Sequence, residues 1–344
     1  MAGVLAGQVA LVAGATRGAG RGIARELGLA GAKVYCTGRS TAGHPATPGR
    51  PETVEETAQL IAGAGGAAVA VRVDHTQDAE VEALAARLRA DEGRLDILVN
   101  DIWGGDDLID WGAKFWTLDL AAVRTLVDRS ILSHLFTSRF MAPMMVEAKR
   151  GLIVEITDGE LNGYRGQLLY DLVKASVNRL GYAMAWDLVG TGVTALTVSP
   201  GFLRSEAILE GFGVTEANWR EAIAKSSDFA YSETPRYIGR GVAALAADPR
   251  VGDKAGLALF VSTLADEYGF TDVDGTRPAF WPNVEAWLEE QMAGAGKLDR
   301  KARWMASSRY GQIHNSHAHA EQARAYARRL GLTGLGAGLR SHGD

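Results

Sequence analysis

The 344-residue chain has one cysteine, no excess of positive charge and no apolar run long enough to cross a bilayer. A single Cys36 excludes a disulfide within the chain, and its place in an apolar stretch predicts a buried thiol in a reducing compartment. The first residues also lack a signal-peptide pattern, so we expect a cytoplasmic protein. A net charge of −5 argues against nucleic acid or a membrane surface as partner.

Glycine is plentiful, and near the N-terminus its placement is specific. An apolar run over 9–13 predicts a buried strand, and an amphipathic helix continues from about residue 21. The glycines between them lack the Cβ atoms that would keep the backbone away from a pyrophosphate, and the N–H groups that open a helix favour an anion. This turn predicts a nucleotide site. Its candidate coenzyme-binding residues are Gly14, Thr16, Arg17, Gly18 and Gly20.

Strand patterns alternate with helical patterns through the rest of the body, which predicts an α/β fold with a parallel sheet covered on both faces. Strands are expected at 33–37, 67–73, 95–100, 152–157, 193–199 and 257–261, and helices at 53–63, 78–92, 119–147, 168–189 and 234–247. Thr53 is expected to cap its helix, and Pro143 to bend or end the 119–147 helix. Residues 202–232 form a mixed, aromatic-bearing segment.

Five motifs in register resemble the short-chain dehydrogenase/reductase family over about residues 1–265. They are Gly14-x-x-x-Gly18-x-Gly20, Asp74 after the third strand, Asn100 after the fourth, Tyr170-x-x-x-Lys174, and Pro200-Gly201 after the sixth. The resemblance implies a doubly wound parallel seven-stranded sheet, the Rossmann fold, with 202–232 as the substrate lid. A helical and irregular C-terminal extension would follow over 266–344. The family also implies a homodimer or homotetramer through the helices at 119–147 and 168–189.

Tyr170 and Lys174 lie one helical turn apart, so they share a face. A tyrosine of ordinary pKa, about 10, exchanges protons poorly at neutral pH, and an adjacent ammonium lowers that pKa. In the family this tyrosine is the general acid/base, and the lysine also binds the nicotinamide ribose. The resemblance therefore implies an enzyme that reduces the carbonyl of a small ketone or aldehyde with NADPH, or runs the reverse reaction.

The family's catalytic serine, which follows the fifth strand, is replaced here. Counting from the strand places Asp158 at that position, and counting back from the catalytic tyrosine places Thr157 there. A threonine hydroxyl is the conservative substitute, whereas an ionised carboxylate cannot donate to a carbonyl and would stabilise a cation such as an iminium. Two alternative functions follow, an imine or iminium reductase that uses Asp158 and a nucleotide-binding scaffold without turnover.

A fourth family residue, an asparagine of the long helix that helps hold a proton-relay water, is also altered. Ser130 stands at its position. His134 follows one turn later and could face the cleft, although an ordinary histidine on the helix face is the preferred interpretation. The proton relay is therefore altered or made by other atoms.

Coenzyme choice is predicted from charge. NAD-selective sites usually carry an acidic residue after the second strand, where this chain has Arg39, and Arg39 with Arg17 could clamp a 2′-phosphate. NADP(H) is therefore preferred, with NAD(H) as the alternative. Asp74 resembles the family's adenine contact or would cap the next helix, and Ser205 matches a carboxamide contact. The remaining coenzyme candidates are Asn100, Tyr170, Lys174, Pro200 and Gly201.

Several aromatic and histidine residues allow two interpretations each. A lid set and a set after the fourth strand could line an apolar pocket or pack as local cores. The lid set is Phe202, Leu203, Ile208, Leu209, Phe212 and Trp219, and the other is Trp103, Trp111, Phe115 and Trp116. Within the extension, 283–293 and 318–330 are expected to be helical. His314, His317 and His319 have no recognised ligand spacing, so we expect a solvated turn and no metal.

Overall fold

The computed structural model of the chain describes residues 3–158 and 165–283. Its seven strands are β1 (Val9–Ala13), β2 (Lys33–Gly38), β3 (Ala67–Arg72), β4 (Ile97–Asn100), β5 (Gly151–Ile156), β6 (Val193–Ser199) and β7 (Ala258–Phe260). They form one sheet in the order β3-β2-β1-β4-β5-β6-β7, and every neighbouring pair is parallel. The predicted doubly wound, seven-stranded parallel sheet is confirmed.

Nine α-helices lie in the described residues, and they cover both faces of the sheet. They are α1 (Gly18–Leu29), α2 (Val54–Gly63), α3 (Asp78–Glu92), α4 (Leu120–Val127), α5 (Ser133–Ala148), α6 (Leu168–Asp187), α7 (Glu206–Gly211), α8 (Pro235–Ala247) and α9 (Val261–Tyr268). Alternate residues of β1 serve two cores. Val12 packs with Ile23 of α1 on one face, and Leu11 packs with Met145 of α5 on the other.

The strand order reverses direction between β1 and β4, and at this switch point the carboxyl ends of the strands leave a crevice. Gly14 ends β1 with φ +93°, and an added Cβ would lie 2.1 Å from the carbonyl oxygen of Asp101. Only glycine therefore fits between the turn after β1 and the chain leaving β4. The glycine turn stands at the mouth of the crevice, where an open α/β sheet binds its ligands.

Two helix predictions need correction. The single helix expected over 119–147 is two helices, α4 and α5, joined by a π-helical turn over Asp128–Leu132, and Pro143 lies inside α5 without ending it. Asp74 does not cap α3, because Gln77 precedes that helix and the Asp74 carboxylate accepts from the backbone N–H of Thr76. Thr53 does cap α2, since its Oγ1 accepts from the Glu56 N–H at 3.1 Å.

No helix within 3–158 and 165–283 is long and apolar enough to span a membrane. In the same residues, no group of three or more His, Cys, Asp or Glu side chains is placed to hold a metal ion. The helices expected at 318–330 and over most of 283–293, and the histidines His314, His317 and His319, lie outside the described residues.

Candidate active site

A cavity of about 530 Å³ opens at the carboxyl ends of the central strands. The candidate residues that line it are Gly14, Thr16, Arg17, Gly18, Arg39, Asp74, Thr157, Asp158, Tyr170, Lys174, Pro200, Gly201 and Ser205. Residues 100 or more positions apart in the chain thus meet in one cleft that runs from the glycine turn to the Tyr170–Lys174 pair. Its volume is in the range of cofactor and ligand sites.

Three candidates do not line the cavity. Gly20 supports the turn, because an added Cβ would lie 2.3 Å from the Gly14 carbonyl oxygen. Asn100 is fully buried, and its amide nitrogen donates to Ser138 and Glu155 at 2.9 and 2.6 Å. Ser130 is buried in the π-helical turn, and its hydroxyl makes no hydrogen bond within the described residues. Asn100 and Ser130 are therefore buried residues outside the cavity lining.

Tyr170 stands in the first turn of α6 and donates its hydroxyl proton to the Asp158 carboxylate at 2.6 Å. Burial, and then the negative charge of Asp158, hold the pKa of Tyr170 well above its ordinary value. The expectation of a lowered Tyr170 pKa is therefore wrong for the protein without ligands, because burial and the Asp158 charge outweigh the opposing effect of the Arg165 guanidinium. As it stands, the phenol is a proton donor and not a phenolate.

The two residues that compete for the serine position point to different partners. The Thr157 hydroxyl donates to the backbone carbonyl of Lys174 at 2.9 Å, which fastens the end of β5 to α6. Asp158 instead contacts the Tyr170 phenol, and one of its oxygens lies 3.9 Å from the Arg165 guanidinium. Arg165 lines the cavity while 6% exposed, and it was not recognised from the sequence.

Lys174 is the second cation at this end of the cleft. Burial lowers its pKa, whereas the carboxylates of Asp158 and Asp101 act in the opposite direction. Burial in turn raises the pKa of Asp101 to about 7. The Lys174 ammonium lies 4.2 Å from the ring centroid of Trp103, which also lines the cavity. Trp103 is therefore part of the site as well as of a local core.

The other end of the cleft is rich in arginine. Arg17 and Arg39 line it as predicted, together with Arg129 of the π-helical turn. An added Cβ on Gly104 would lie 2.9 Å from Arg39 Nη2 and 3.9 Å from Arg129 Nε, so the two guanidinium groups converge on one point. Burial and the neighbouring arginine charges lower the pKa of Arg39. Arg129 carries no sequence signal, because only the fold brings it beside β2.

Beneath the cleft lies a buried ion pair that corrects the interpretation of His134 as an ordinary histidine on the helix face. His134 is 2% exposed, and its Nδ1 lies 2.5 Å from the Glu155 carboxylate while its Nε2 lies 3.0 Å from the Ile102 carbonyl oxygen. Both ring nitrogens face acceptors, so the ring is a doubly protonated donor. Glu155 raises the pKa of His134 against the opposing effect of burial.

A carboxylate occupies the helix N-terminus where the glycine turn was expected to bind an anion. The Gly18 backbone N–H, which opens α1, donates to Glu206 at 2.8 Å. Glu206 is the first residue of α7 in the lid, and Arg50 pairs with Glu210 at the last turn of the same helix. The lid is thus fastened across the cleft to the glycine turn and to the loop after β2.

The lid residues divide between the two interpretations. Phe202, Leu203 and Ile208 line the cavity, whereas Trp219 and Phe229 form the centre of a local core that Leu209 and Phe212 complete. Two residues of the segment assigned to the C-terminal extension, Phe280 and Trp281, also line the cavity. Trp281 donates its indole N–H to the Pro200 carbonyl at 3.1 Å, so this segment closes the cleft beside the Pro200-Gly201 turn.

Comparison with known proteins decides the family. The model of the short chain dehydrogenase family matches residues 8–210. The chain belongs to the short-chain dehydrogenase/reductase family. A mouse member of this family, "Dehydrogenase/reductase SDR family member 1" of Mus musculus, is 34% identical over 280 residues, which are 80% of this chain and 86% of that protein.

Other members of the short-chain dehydrogenase/reductase family give the same result. The 7alpha-hydroxysteroid dehydrogenase of Escherichia coli K12 is 30% identical over 207 residues, 59% of this chain and 74% of that protein. The crystal structure of a metagenomic short-chain oxidoreductase in complex with NADP superimposes with a TM-score of 0.55 at 27% identity, covering 71% of this chain and 92% of that one. The protein is an NAD(P)-dependent oxidoreductase that acts on a small molecule.

The residues of this short-chain dehydrogenase/reductase fit such a coenzyme. Added Cβ atoms at Gly14 and Gly20 would meet backbone carbonyl oxygens at 2.1 and 2.3 Å, so the turn keeps the close approach that a diphosphate needs. The helix end at Gly18 holds an anionic group already, the Glu206 carboxylate. Arg17 and Arg39 stand beyond it in the same cavity, and Tyr170 and Lys174 at its other end.

Proposed function

We propose that this oxidoreductase uses NADPH to reduce a ketone or aldehyde, or catalyses the reverse oxidation, with Tyr170 as the general acid/base. The observation that carries this proposal is the single cleft lined by the glycine turn, the Tyr170 phenol and the Lys174 ammonium. It is tested by following NADPH oxidation with a panel of ketones, aldehydes and quinones. Turnover that requires Tyr170 supports the proposal, and coenzyme binding without such turnover favours the scaffold alternative.

The cleft between the glycine turn and Tyr170 would hold NADPH, which would supply a hydride to the carbonyl carbon, and the alkoxide that develops there would need a proton. Tyr170 holds that proton on its hydroxyl, where it is donated to Asp158 in the protein without ligands. A substrate oxygen that replaces this carboxylate as acceptor receives the proton as the C–O⁻ charge develops. The ammonium of Lys174 in the same cavity stabilises the phenolate left behind, and solvent later restores the phenol.

Arg39→Ala is expected to weaken NADPH binding about 10- to 100-fold and to leave NADH binding within about twofold, because a charged hydrogen bond to phosphate is worth about 1.5–3 kcal/mol. Fluorescence titration with each reduced coenzyme measures this. Arg124→Ala is the control, since Arg124 is exposed on α4, does not line the cavity and donates to the Leu120 carbonyl of its own helix. Equal affinity of the wild type for the two coenzymes would remove the NADPH assignment.

A second candidate, an imine or iminium reductase, is supported by the contact between Asp158 and Tyr170. An anionic carboxylate in the place of the family serine opposes alkoxide formation and stabilises a cationic C=N⁺ group. Thr157 does not offset this charge, since its hydroxyl is used by the Lys174 carbonyl. The carbonyl and iminium candidates share the coenzyme and Tyr170. They differ in whether the negative charge of Asp158 accelerates or slows hydride transfer to the substrate.

Asp158→Asn separates the two candidates because it removes the charge and keeps the size and an acceptor oxygen. If the substrate is an iminium, kcat/KM with cyclic imines is expected to fall about 10- to 100-fold, and ketone reduction to stay level or rise. If the substrate is a carbonyl, ketone reduction is expected to rise in Asp158→Asn and in Asp158→Ser, which restores the family hydroxyl. Unchanged rates with both substrate classes would reject the iminium candidate.

We propose that the chain forms a homodimer or homotetramer through the two long helical regions. Leu120 and Leu135 on α4 and α5, and Leu168 and Leu172 on α6, are each at least 40% exposed. Large apolar side chains exposed on these three helices favour an interface. The family resemblance gives the same expectation, because its members pair through these helices.

A further inference from the structure

Trp103 touches both side chains of the proposed catalytic pair. It follows the end of β4 by three residues. Its ring centroid lies 4.2 Å from the Lys174 ammonium and 5.9 Å from the Tyr170 ring, in an edge-to-face arrangement of 87°. A cation this close to an indole face is attracted by the ring quadrupole.

The N–H edge of the indole is held by a carboxylate. Trp103 Nε1 donates to Asp106 Oδ1 at 2.6 Å, and Asp106 begins the short 3-10 helix Asp106–Leu108. A negative acceptor on the indole N–H increases the electron density of the ring, which strengthens its attraction for a cation. Asp106 therefore polarises the indole from its N–H edge while the ammonium lies over its face, and the ring carries the influence of the carboxylate to Lys174.

The surrounding residues fix the ring in this position. Gly105 lies beneath it, where an added Cβ would be 2.1 Å from Leu126 Cδ1 and 3.0 Å from Trp103 Cζ2. The ring packs on a local core of Leu126, Leu169 and Val173, two of which belong to α6, as does Lys174. Arg129 holds the next carbonyl, that of Gly104, at 2.6 Å. The indole is thus packed between α4 and α6, and these contacts hold it against the lysine.

Lys174 needs such a support because it is buried among groups that do not neutralise it directly. The charged side chains that face it are the carboxylates of Asp158, Asp101 and Asp106 and the guanidinium of Arg165. Asp158 accepts a hydrogen bond from Tyr170, and burial raises the pKa of Asp101 to about 7. Asp106 is bonded to the indole N–H of Trp103. Among the described residues the ammonium lies over two aromatic rings, 4.2 Å from the centroid of Trp103 and 5.6 Å from that of Tyr170, so the indole is the nearer face.

We propose that Trp103, oriented by Asp106, is a positioning residue that holds the Lys174 ammonium beside Tyr170 and keeps it a cation. The inference rests on the proposed function, in which Lys174 stabilises the Tyr170 phenolate. It predicts that the pKa of Lys174 depends on an aromatic face at position 103. The alkaline limb of the pH profile of kcat/KM depends on the same face.

The test compares Trp103→Leu, which keeps an apolar side chain without a π face, with Trp103→Phe, which restores a smaller face. Trp111→Leu is the matched control, because Trp111 lies 5.1 Å from the same Tyr170 ring and has no contact with Lys174 in the described structure. We expect the alkaline limb of kcat/KM to move down by about one pH unit in Trp103→Leu and by less in Trp103→Phe. It stays in place in Trp111→Leu. Asp106→Asn is expected to move it in the same direction as Trp103→Leu.

A second measurement does not depend on turnover. NMR titration of protein carrying 13C-labelled lysine follows the Lys174 ε-carbon, assigned by its loss in Lys174→Arg, and the midpoint is expected to fall by about one unit in Trp103→Leu. Equal midpoints in wild type and Trp103→Leu, or equal displacements in Trp103→Leu and Trp111→Leu, would overturn the role of Trp103. If no substrate turns over while the midpoints shift as expected, the proposed function fails and the support of Lys174 by Trp103 stands.

Discussion

Tyr170→Phe is expected to lower kcat for carbonyl reduction by about 10³-fold while NADPH binding stays within about twofold of wild type. General acid catalysis contributes about 10²–10⁴ to such a rate, and only the hydroxyl is lost in this variant. The packing of the ring on Trp103 and Trp111 is retained, so the cleft keeps its shape. Steady-state kinetics with NADPH and the best substrate of the panel measure the rate, and fluorescence titration measures the binding.

Tyr182→Phe is the matched control, since Tyr182 lies on the same helix, packs edge-to-face with Trp186 and does not line the cavity. It is expected to keep wild-type kcat. A Tyr170→Phe enzyme that retains more than about a tenth of the wild-type kcat would assign the proton to another donor. Asp158 is the first to examine, because it lies 2.6 Å from the Tyr170 hydroxyl.

Glu155→Leu is expected to lower the free energy of unfolding by about 3–5 kcal/mol, because it leaves the His134 imidazolium buried without its counter-charge. Glu155 is fully buried and also accepts from Asn100, so two donors lose their partner. Urea unfolding followed by circular dichroism measures the loss. The double variant His134→Leu/Glu155→Leu is expected to recover much of it, since apolar side chains then replace both charges.

The pH dependence of stability gives an independent check on this pair. Because the folded-state pKa of His134 is raised above the ordinary value of about 6.5, its stabilising contribution is complete below that value and is lost as pH rises through the folded pKa. Wild-type stability is expected to decline over this range relative to the double variant. Identical pH profiles in the two proteins would show that folding does not raise the pKa of His134.

The sequence predicted the fold well because its signals are local. Apolar strands, glycine turns and the Thr53 cap each depend on neighbours within a few residues, and β1, α2 and β6 lie where expected. The break between α4 and α5 was missed, since the chain stays helical through a single π-helical turn and no glycine or proline marks it in the sequence. Asp74 illustrates the same limit. Whether its carboxylate caps α3 or accepts from the Thr76 N–H depends on the backbone conformation of the few residues before the helix.

The candidate site was predicted to a lesser depth, because its chemistry comes from contacts distant in sequence. The Tyr170-x-x-x-Lys174 spacing identifies the pair, but the contact of Asp158 with the phenol depends on how β5 ends against α6. His134 looked ordinary because Glu155, its partner, lies on β5. A glutamate inside an apolar strand was the available signal, since an acidic residue that faces a core requires a partner.

If the coenzyme diphosphate binds at Gly18 as proposed, the hydrogen bond between Gly18 and Glu206 couples coenzyme binding to the position of the lid helix α7. A diphosphate and a carboxylate cannot share one N–H donor, so an incoming diphosphate at Gly18 has to displace Glu206. The measured affinity would then include the loss of that bond, which is of the order of 1.5–3 kcal/mol for a charged acceptor. Glu206 therefore tethers α7 to the glycine turn in the protein without coenzyme, and coenzyme binding would release it.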